Sequence, residues 1–267
     1  MDISYVIPVY KDTELVLNCL NSFKNNPTSG EKIIVDDGSP KEYQTRLKEI
    51  SKSHNCKLLT SFHNNGFSYA VNRGIESSDA EVVVITNNDI ILDQYIETEI
   101  QRQFERDPKL GILGFQLLYP DGTVQHAGLR LMEDKTSFTH YDHGSKIEDS
   151  KMANISRYAI AVTGALFAIR KSMVDEIGPF NAGYKLAFED TEFCLRAWHC
   201  GWHVFYTSVV SATHAEGVTR GRTLEEKIQR GFFDGEKISY KKYLQDIKNY
   251  DLIAIESRVG VLNERLL

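Results

Sequence analysis

The sequence predicts an α/β fold with a mostly parallel central sheet and helices on both faces of that sheet. Up to residue 110, short apolar runs alternate with segments whose apolar residues recur at helical spacing, which is typical of βαβ units. Runs such as Val82–Ile85 show no polar alternation, which indicates strands that are covered on both faces. Polar clusters follow two of these runs, at Asp36–Ser39 and Asn87–Asp89. Because ligands bind such sheets beyond the carboxyl ends of the strands, these clusters mark a candidate site.

Each element follows from a local pattern. In the first half we expect strands at Ile3–Ile7, Glu31–Val35, Lys57–Thr60 and Val82–Ile85, and helices around Val16–Phe23, Tyr43–Ile50, Phe67–Ile75 and Ile96–Phe104. In the second half we expect strands at Leu110–Tyr119, Gly164–Arg170 and Val204–Tyr206, and a helix over Asp190–Cys200 that ends at Gly201. The turn sequence Pro120–Thr123 predicts a hairpin between Leu118 and Val124. Residues 133–156 are polar and predict a mobile loop that could close over a bound substrate.

Composition excludes several classes of protein. The formal net charge of −6 argues against nucleic acid as the main partner, because phosphate binding needs a basic surface. The four cysteines show no paired CxxC spacing, so we expect reduced thiols and no zinc site. The N-terminus lacks the pattern of a secretory leader, and nowhere do about 18 uncharged apolar residues occur together. We therefore expect a cytoplasmic protein with no transmembrane segment.

The two polar clusters after the apolar runs each allow two interpretations. Asp36 and Asp37 precede a glycine in a tight turn, where they could bind a nucleobase edge or a ribose, or could simply cap the next helix. Asp89 could ligate a hard divalent cation, with Asn87 and Asn88 as neutral partners. Alternatively, Asp89 or Asp93 could cap a helix that begins there.

Two further groups could carry chemistry. The segment Phe188–Glu192 places three carboxylates at the start of a predicted helix, where acidic residues complement the helix dipole. One of these carboxylates in a cleft could instead act as a general base on a hydroxyl. His214 could supply an imidazole metal ligand, although a single histidine is often structural.

Taken in order, these motifs resemble the family 2 glycosyltransferases, which have the GT-A fold, and among them bacterial rhamnosyl- and hexosyltransferases of surface-glycan synthesis. The matching segments are Tyr5–Tyr10, Ile34–Ser39, Asn64–Phe67 with Asn72–Gly74, Thr86–Asp89, Pro120–Gly128, Thr163–Ala165, Glu189–Asp190 with Leu195–Arg196 and Gly201–Trp202, and His214. The resemblance runs from residue 3 to about residue 217. Each segment is weak by itself, whereas all of them in the correct order are specific.

The resemblance implies an inverting hexosyltransferase-type enzyme that moves a sugar from a nucleotide-diphosphate sugar to a hydroxyl of a glycan, glycolipid or glycoprotein. It implies Mn²⁺ or Mg²⁺ as the cofactor, with Asp89 and His214 as metal ligands. Asp190 matches the family's catalytic base. Donor-binding residues would be Pro8, Val9, Asp37, Asn64, Asn87 and Asn88, and acceptor-binding residues would be Glu189, Thr163 and Gly164. Asn87-Asn88-Asp89 stands where the family usually has Asp-x-Asp, so fewer carboxylates are present for the metal.

Two other functions compete with this one. A nucleotidyltransferase would need a glycine-rich basic phosphate loop near the N-terminus, but Ile7–Thr13 contains only Lys11 and no glycine. A catalytically inactive nucleotide-sugar or carbohydrate-binding module would fit the two asparagines at Asn87 and Asn88. The retained Glu189–Asp190 pair argues against such a module.

We expect one catalytic domain at residues 1–217, with a nucleotide-binding half at 1–110 and an acceptor-binding half at 111–217. A C-terminal helical extension follows at 218–267, with an amphipathic segment from Leu224 to about Leu252. Its apolar stripe could pack on the catalytic domain or pair with a second copy of the chain. Alternatively, the segment could lie on an anionic membrane and keep the enzyme at the inner face of the cell membrane. Interspersed acidic residues favour packing or self-association.

Overall fold

A computed structural model describes residues 1–24, 28, 30–92, 96–134, 137–184, 187–215, 224–229 and 233–266. The strands are β1 Ile3–Val9, β2 Glu31–Asp36, β3 Lys57–Thr60, β4 Val82–Thr86, β5 Ile90–Leu92, β6 Leu110–Leu118, β7 Val124–His126, β8 Leu129–Leu131, β9 Phe138–His140, β10 Arg157–Tyr158, β11 Leu166–Arg170 and β12 His203–His214. The helices are α1 Thr13–Ser22, α2 Lys41–Ser53, α3 Phe67–Glu76, α4 Ile96–Arg106, α5 Lys171–Ile177, α6 Glu189–His199, α7 Leu224–Gln229, α8 Phe233–Asp246 and α9 Leu252–Glu264.

One large sheet organises the part of the chain that the structure describes. Its strands lie in the order β10-β12-β6-β11-β4-β1-β2-β3, with β5 paired to β12 and β7 paired to β6. Strands β3, β2, β1 and β4 are parallel, whereas β11 is antiparallel between β4 and β6. Every residue of Val82–Thr86 is buried, as expected for a strand covered on both faces. The predicted α/β fold with a mostly parallel central sheet is confirmed.

Helix α3 packs closely against β1 because it carries a glycine at the contact. A Cβ atom on Gly74 would lie 2.2 Å from Cγ1 of Val6. On the same helix, the side-chain amide of Asn72 donates to the carbonyl of Phe180 at 2.8 Å and accepts from its N–H at 2.9 Å. These contacts fix α3, whose N-terminus lies at the sheet edge, relative to both halves of the chain.

The strand predicted at Val204–Tyr206 is much longer than expected. It runs over His203–His214 and changes register against β6 between Thr207 and Ser211. The prediction was too short because Ser and Thr interrupt the apolar run, although both fit a partly buried strand. The end of β12 pairs with β5, a three-residue strand that the sequence did not indicate.

The segment 133–156 is not the single irregular loop that its polarity predicts. It contains β9 and a 3₁₀ turn at Ile147–Asp149. The Asp142 carboxylate accepts from the N–H groups of Met152 and Ala153 at 2.6 and 2.9 Å, and the Tyr206 hydroxyl donates to the Ala153 carbonyl at 2.7 Å. Sequence reasoning missed this anchoring because part of it comes from a distant strand. Residues 135 and 136 lie outside the described residues, and closure over a substrate stays a prediction.

The C-terminal segment is a series of helices rather than one. A 3₁₀ turn at Ile247–Asn249 follows α8, and Asp251 then caps α9 by accepting from the N–H of Ala254 at 3.0 Å. The predicted domain boundary between residues 217 and 218 lies outside the described residues. In the part of the chain that is described, no helix has the length and apolar character to cross a membrane.

These C-terminal helices pack on α6 and β10, within the α/β part of the chain. The Tyr250 hydroxyl donates to Glu192 at 2.6 Å, and the Arg258 guanidinium donates to the carbonyl of Trp198 at 3.0 Å; both acceptors lie on α6. The side chain of Asn263 makes two hydrogen bonds, of 2.8 and 3.0 Å, with the backbone of Tyr158. Tyr243, Ile247, Ile255 and Val259 are buried along this contact. The apolar residues of the C-terminal segment that are buried here therefore pack on the rest of the chain, as one of the alternatives expected.

Replacement of Gly74 by alanine should destabilise the protein, whereas the same change at Gly260 should not. An alanine normally stabilises a helix by about 0.5–1 kcal/mol relative to glycine. At Gly74 the overlap with Val6 should reverse this and lower the free energy of unfolding by about 1–3 kcal/mol. Gly260 lies on α9 with nothing within 4 Å of an added Cβ, so its variant is a matched control. Differential scanning calorimetry measures both, and equal shifts in melting temperature would contradict the packing argument.

Candidate active site

A cleft of about 900 Å³ opens at the carboxyl ends of β1, β2 and β4. Every site residue that the sequence predicts lines this cleft: Pro8, Val9, Asp37, Asn64, Asn87, Asn88, Asp89, Thr163, Gly164, Glu189, Asp190 and His214. The structure therefore brings together residues that lie more than 200 positions apart in the sequence.

Asp37 shapes one wall of the cleft. Its carboxylate accepts from the N–H of Asn65 at 3.0 and 3.1 Å and from the N–H of Gly66 at 2.7 Å, which holds the loop before α3. Burial raises the pKa of Asp37, and these hydrogen bonds oppose that rise. The neighbouring Asp36 is fully buried and accepts from the N–H of Ser39 at 3.0 Å. Asp36 thus forms the turn, while Asp37 connects the turn to the next loop.

Asp89 and His214 meet because β5 pairs with β12. In this antiparallel pair His214 lies opposite Ile90, and the N–H of Ala215 donates to the Asp89 carbonyl at 3.2 Å. Oδ1 of Asp89 lies 3.1 Å from Nε2 of His214. The alternative role for Asp89 as a helix cap is wrong, since a strand follows it, and Asp93 lies outside the described residues.

The Asp89–His214 pair fits a divalent cation. Nδ1 of His214 lies 2.6 Å from the side-chain oxygen of Gln125, which can only accept, so Nδ1 donates there and Nε2 is left as the candidate metal-ligating nitrogen. Oδ1 of Asp89 is buried and makes no hydrogen bond in the described part of the chain. Two lone-pair atoms 3.1 Å apart match two adjacent ligands of one cation, each bound at roughly 2.1 Å. No group of three His, Cys, Asp or Glu side chains is placed for a metal among the described residues.

Asp190 lies in the first turn of α6, and backbone amides orient its carboxylate. Oδ2 accepts from the N–H of Gly164 at 2.8 Å, and Oδ1 accepts from the N–H of Thr191 at 2.7 Å. The residue after Gly164, Ala165, accepts from the N–H of Asn87 at 2.8 Å. A short backbone segment therefore connects Asp190 to the polar end of β4.

The start of α6 carries two further carboxylates, Glu189 and Glu192, and only Glu189 lies at the cleft. Glu189 is buried there. Glu192 instead pairs with Arg196 at 3.1 Å and accepts from Tyr250, so it holds α6 and the C-terminal helices together.

Sequence reasoning assigned no role to a group of histidines that also lines the cleft. His126 is fully buried, and its Nε2 accepts from the N–H groups of Gly128 and Thr163 at 3.2 and 3.3 Å. Its proton therefore lies on Nδ1, which is 2.8 Å from Nδ1 of His140. Burial, followed by the proximity of His140, lowers the pKa of His126 well below its usual range. The sequence does contain a signal for His126, because this residue lies in Pro120–Gly128, one of the segments that resemble the family.

Aromatic residues from the C-terminal extension complete the cleft. Tyr240 and Tyr243 of α8 line it together with Phe188, which precedes α6. No local pattern marks the two tyrosines as site residues, because their position depends on how α8 packs against α6.

The chain is similar in sequence to a known glycosyltransferase and to a protein of O-antigen biosynthesis. It is 26% identical over 223 residues to the glycosyltransferase AglE of Haloferax volcanii, a match that covers 79% of this chain and 66% of that protein. It is 24% identical over 234 residues to the O-antigen biosynthesis protein RfbC of Myxococcus xanthus, which covers 82% of this chain and 18% of that protein. The chain thus spans less than two thirds of the length of either relative.

The fold is also that of a solved glycosyltransferase. The crystal structure of GalNAc-T7 with UDP, GalNAc and Mn²⁺ superposes with a TM-score of 0.71 at 15% identity, covering 98% of this chain and 57% of that one. At this level of identity the likeness concerns the fold alone, and it confirms the expected GT-A-like architecture.

The family described as Glycosyl transferase family 2 matches residues 4–178. This range includes the ends of β1, β2 and β4 and the Thr163–Gly164 turn, whereas Asp190 and His214 lie beyond it. Because the match extends over more than half of the chain and agrees with the fold and with both relatives, the chain belongs to glycosyl transferase family 2.

Proposed function

We propose that this chain transfers a sugar from a nucleotide-diphosphate sugar to a hydroxyl of a glycan or glycolipid, with inversion at the anomeric carbon. The observation that carries the proposal is that one cleft holds both the Asp89–His214 pair and Asp190. The Asp89–His214 pair would hold a cation that stabilises the charged leaving group. The Asp190 carboxylate would accept the proton that the acceptor hydroxyl loses. Membership in the family and the named relatives support glycosyl transfer from a nucleotide sugar.

In this proposal the nucleotide-sugar donor binds at the carboxyl ends of β1, β2 and β4. Pro8, Val9 and the loop held by Asp37 form the walls for the nucleotide, and Asn87 and Asn88 offer amide groups to the ribose or the phosphates. Asp89 and His214 would hold a divalent cation, which when bound stabilises the charge that develops on the leaving diphosphate. The crystal structure of GalNAc-T7 contains Mn²⁺, which supports Mn²⁺ as the ion to test first.

Asp190 is the base in this proposal. As the acceptor oxygen attacks the anomeric carbon, the bond from that carbon to the diphosphate oxygen breaks, and the acceptor proton passes to the Asp190 carboxylate. Attack from the face opposite the leaving group gives inversion. The amides of Gly164 and Thr191 fix the carboxylate before substrate arrives, which reduces the entropy lost in reaching the reactive geometry.

Asp190→Asn should reduce turnover by about 100-fold or more while the fold and donor binding persist, since a positioned base is lost. Release of nucleoside diphosphate measures turnover, and the rise in melting temperature with nucleotide and Mn²⁺ measures binding. Glu189→Gln is the comparison variant, because Glu189 is the neighbouring carboxylate at the cleft. Near-normal turnover in Asp190→Asn with a large loss in Glu189→Gln would move the base to Glu189.

Activity should be lost in EDTA and should return with Mn²⁺. His214→Gln should raise the Mn²⁺ concentration needed for half-maximal activity by about 10-fold or more, because one of two protein ligands is weakened. His203→Gln is a matched control, since His203 also pairs with a carboxylate, Asp107 at 2.7 Å, but does not line the cleft. Because the described residues place no third His, Cys, Asp or Glu ligand for the metal, nucleotide and Mn²⁺ should each tighten binding of the other. Full activity in chelator would refute the metal assignment and leave the transferase proposal in place.

A further inference from the structure

Three aromatic rings form a wall of the cleft that the donor, metal and base roles leave unused. Phe188 stacks on Tyr243, with ring centroids 5.0 Å apart and an angle of 25° between the planes. Tyr240 lies 5.5 Å from Phe188 and 6.5 Å from Tyr243, the latter at an angle of 21°. We call Phe188, Tyr240 and Tyr243 the aromatic wall.

The two tyrosines of the aromatic wall differ in exposure. Tyr243 is 2% exposed and docks α8, whereas Tyr240 is 44% exposed although it lines the cleft. Glu236 lies one helical turn before Tyr240, lines the same cleft and is only partly buried. A flat apolar face beside a carboxylate suits a sugar ring, because a pyranose has an apolar C–H face and a rim of hydroxyl donors.

The aromatic wall is connected to the proposed base through the start of α6. Phe188 lies two residues before Asp190, and both Ala187 and Phe188 have left-handed backbone angles, with φ of 65° and 69°. Residues other than glycine rarely adopt this conformation, and it persists only where surrounding contacts hold it. Stacking on Tyr243 supplies such a contact, so the position of α8 is coupled to the start of α6.

We propose that the aromatic wall is the acceptor subsite and that Tyr240 stacks on a pyranose ring of a carbohydrate acceptor. This inference rests on the proposed function and names the residues that bind the acceptor in the same cleft. Asp190 acts on the acceptor hydroxyl, so the surface next to it binds the acceptor. The family match ends at residue 178, whereas α8 begins at Phe233. Specificity for the acceptor therefore comes from residues outside the matched segment.

Ligand-observed saturation-transfer NMR on the whole chain tests this subsite. The probes are methyl glycosides of glucose, galactose, mannose, rhamnose and N-acetylglucosamine, with UDP, GDP or dTDP and the diamagnetic ion Mg²⁺ present. At least one glycoside should receive saturation, most strongly at the protons of one ring face. Tyr240→Ala should raise its dissociation constant by about 3- to 10-fold, the scale of one lost ring contact. Tyr240→Phe should bind like the wild type, because the ring remains.

Tyr69→Ala is the matched control, since Tyr69 is a 39% exposed tyrosine on a helix but does not line the cleft. It should leave glycoside binding unchanged. Absence of saturation transfer for every glycoside, or equal binding by Tyr240→Ala and the wild type, would overturn the inference. Hydrolysis of the sugar nucleotides by the wild type is measured in parallel. If glycosides bind through Tyr240 but no sugar nucleotide is hydrolysed or bound, the proposed function fails and the sugar subsite stands.

Discussion

Burial of the central strands on both faces is the constraint on which the rest of this structure depends. Val82–Thr86 has no exposed residue, and β1 and β2 are buried over most of their length. Strands of this kind cannot carry polar groups along their faces without a large desolvation penalty. Polar side chains therefore collect where the strands end, as at Asp37 and Asn87–Asp89. The cleft is a direct consequence, since parallel strands bring these ends to one edge of the sheet.

The second half of the chain completes the site through two backbone arrangements. Pairing of β12 with β5 carries His214 to Asp89, and the turn at Gly164 connects Asp190 to the end of β4. In both cases main-chain hydrogen bonds set the position of the functional side chain. Groups held in this way need little reorganisation when a charged substrate arrives, which is the physical basis of electrostatic catalysis.

The C-terminal helices are part of the same folded unit as the cleft. Glu192 and Trp198 on α6 receive hydrogen bonds from Tyr250 and Arg258, so the C-terminal segment holds the helix that carries Asp190 at two points. This arrangement explains why Glu189 and Asp190 line the cleft while Glu192, on the same helix, serves packing. Helical periodicity directs neighbouring residues to different faces, and each face then meets a different partner.

The sequence by itself determined the fold class, the family and the edge of the sheet at which the site lies, because buried strands and their polar ends are local patterns. It also identified residues that do line the cleft, through motifs in a specific order. Only the tertiary structure decided which of these residues meet. The Asp89–His214 contact depends on a strand too short to recognise, and Tyr240 reaches the cleft only because α8 packs against α6. Contacts between distant segments depend on strand pairing and packing geometry, which no local pattern encodes.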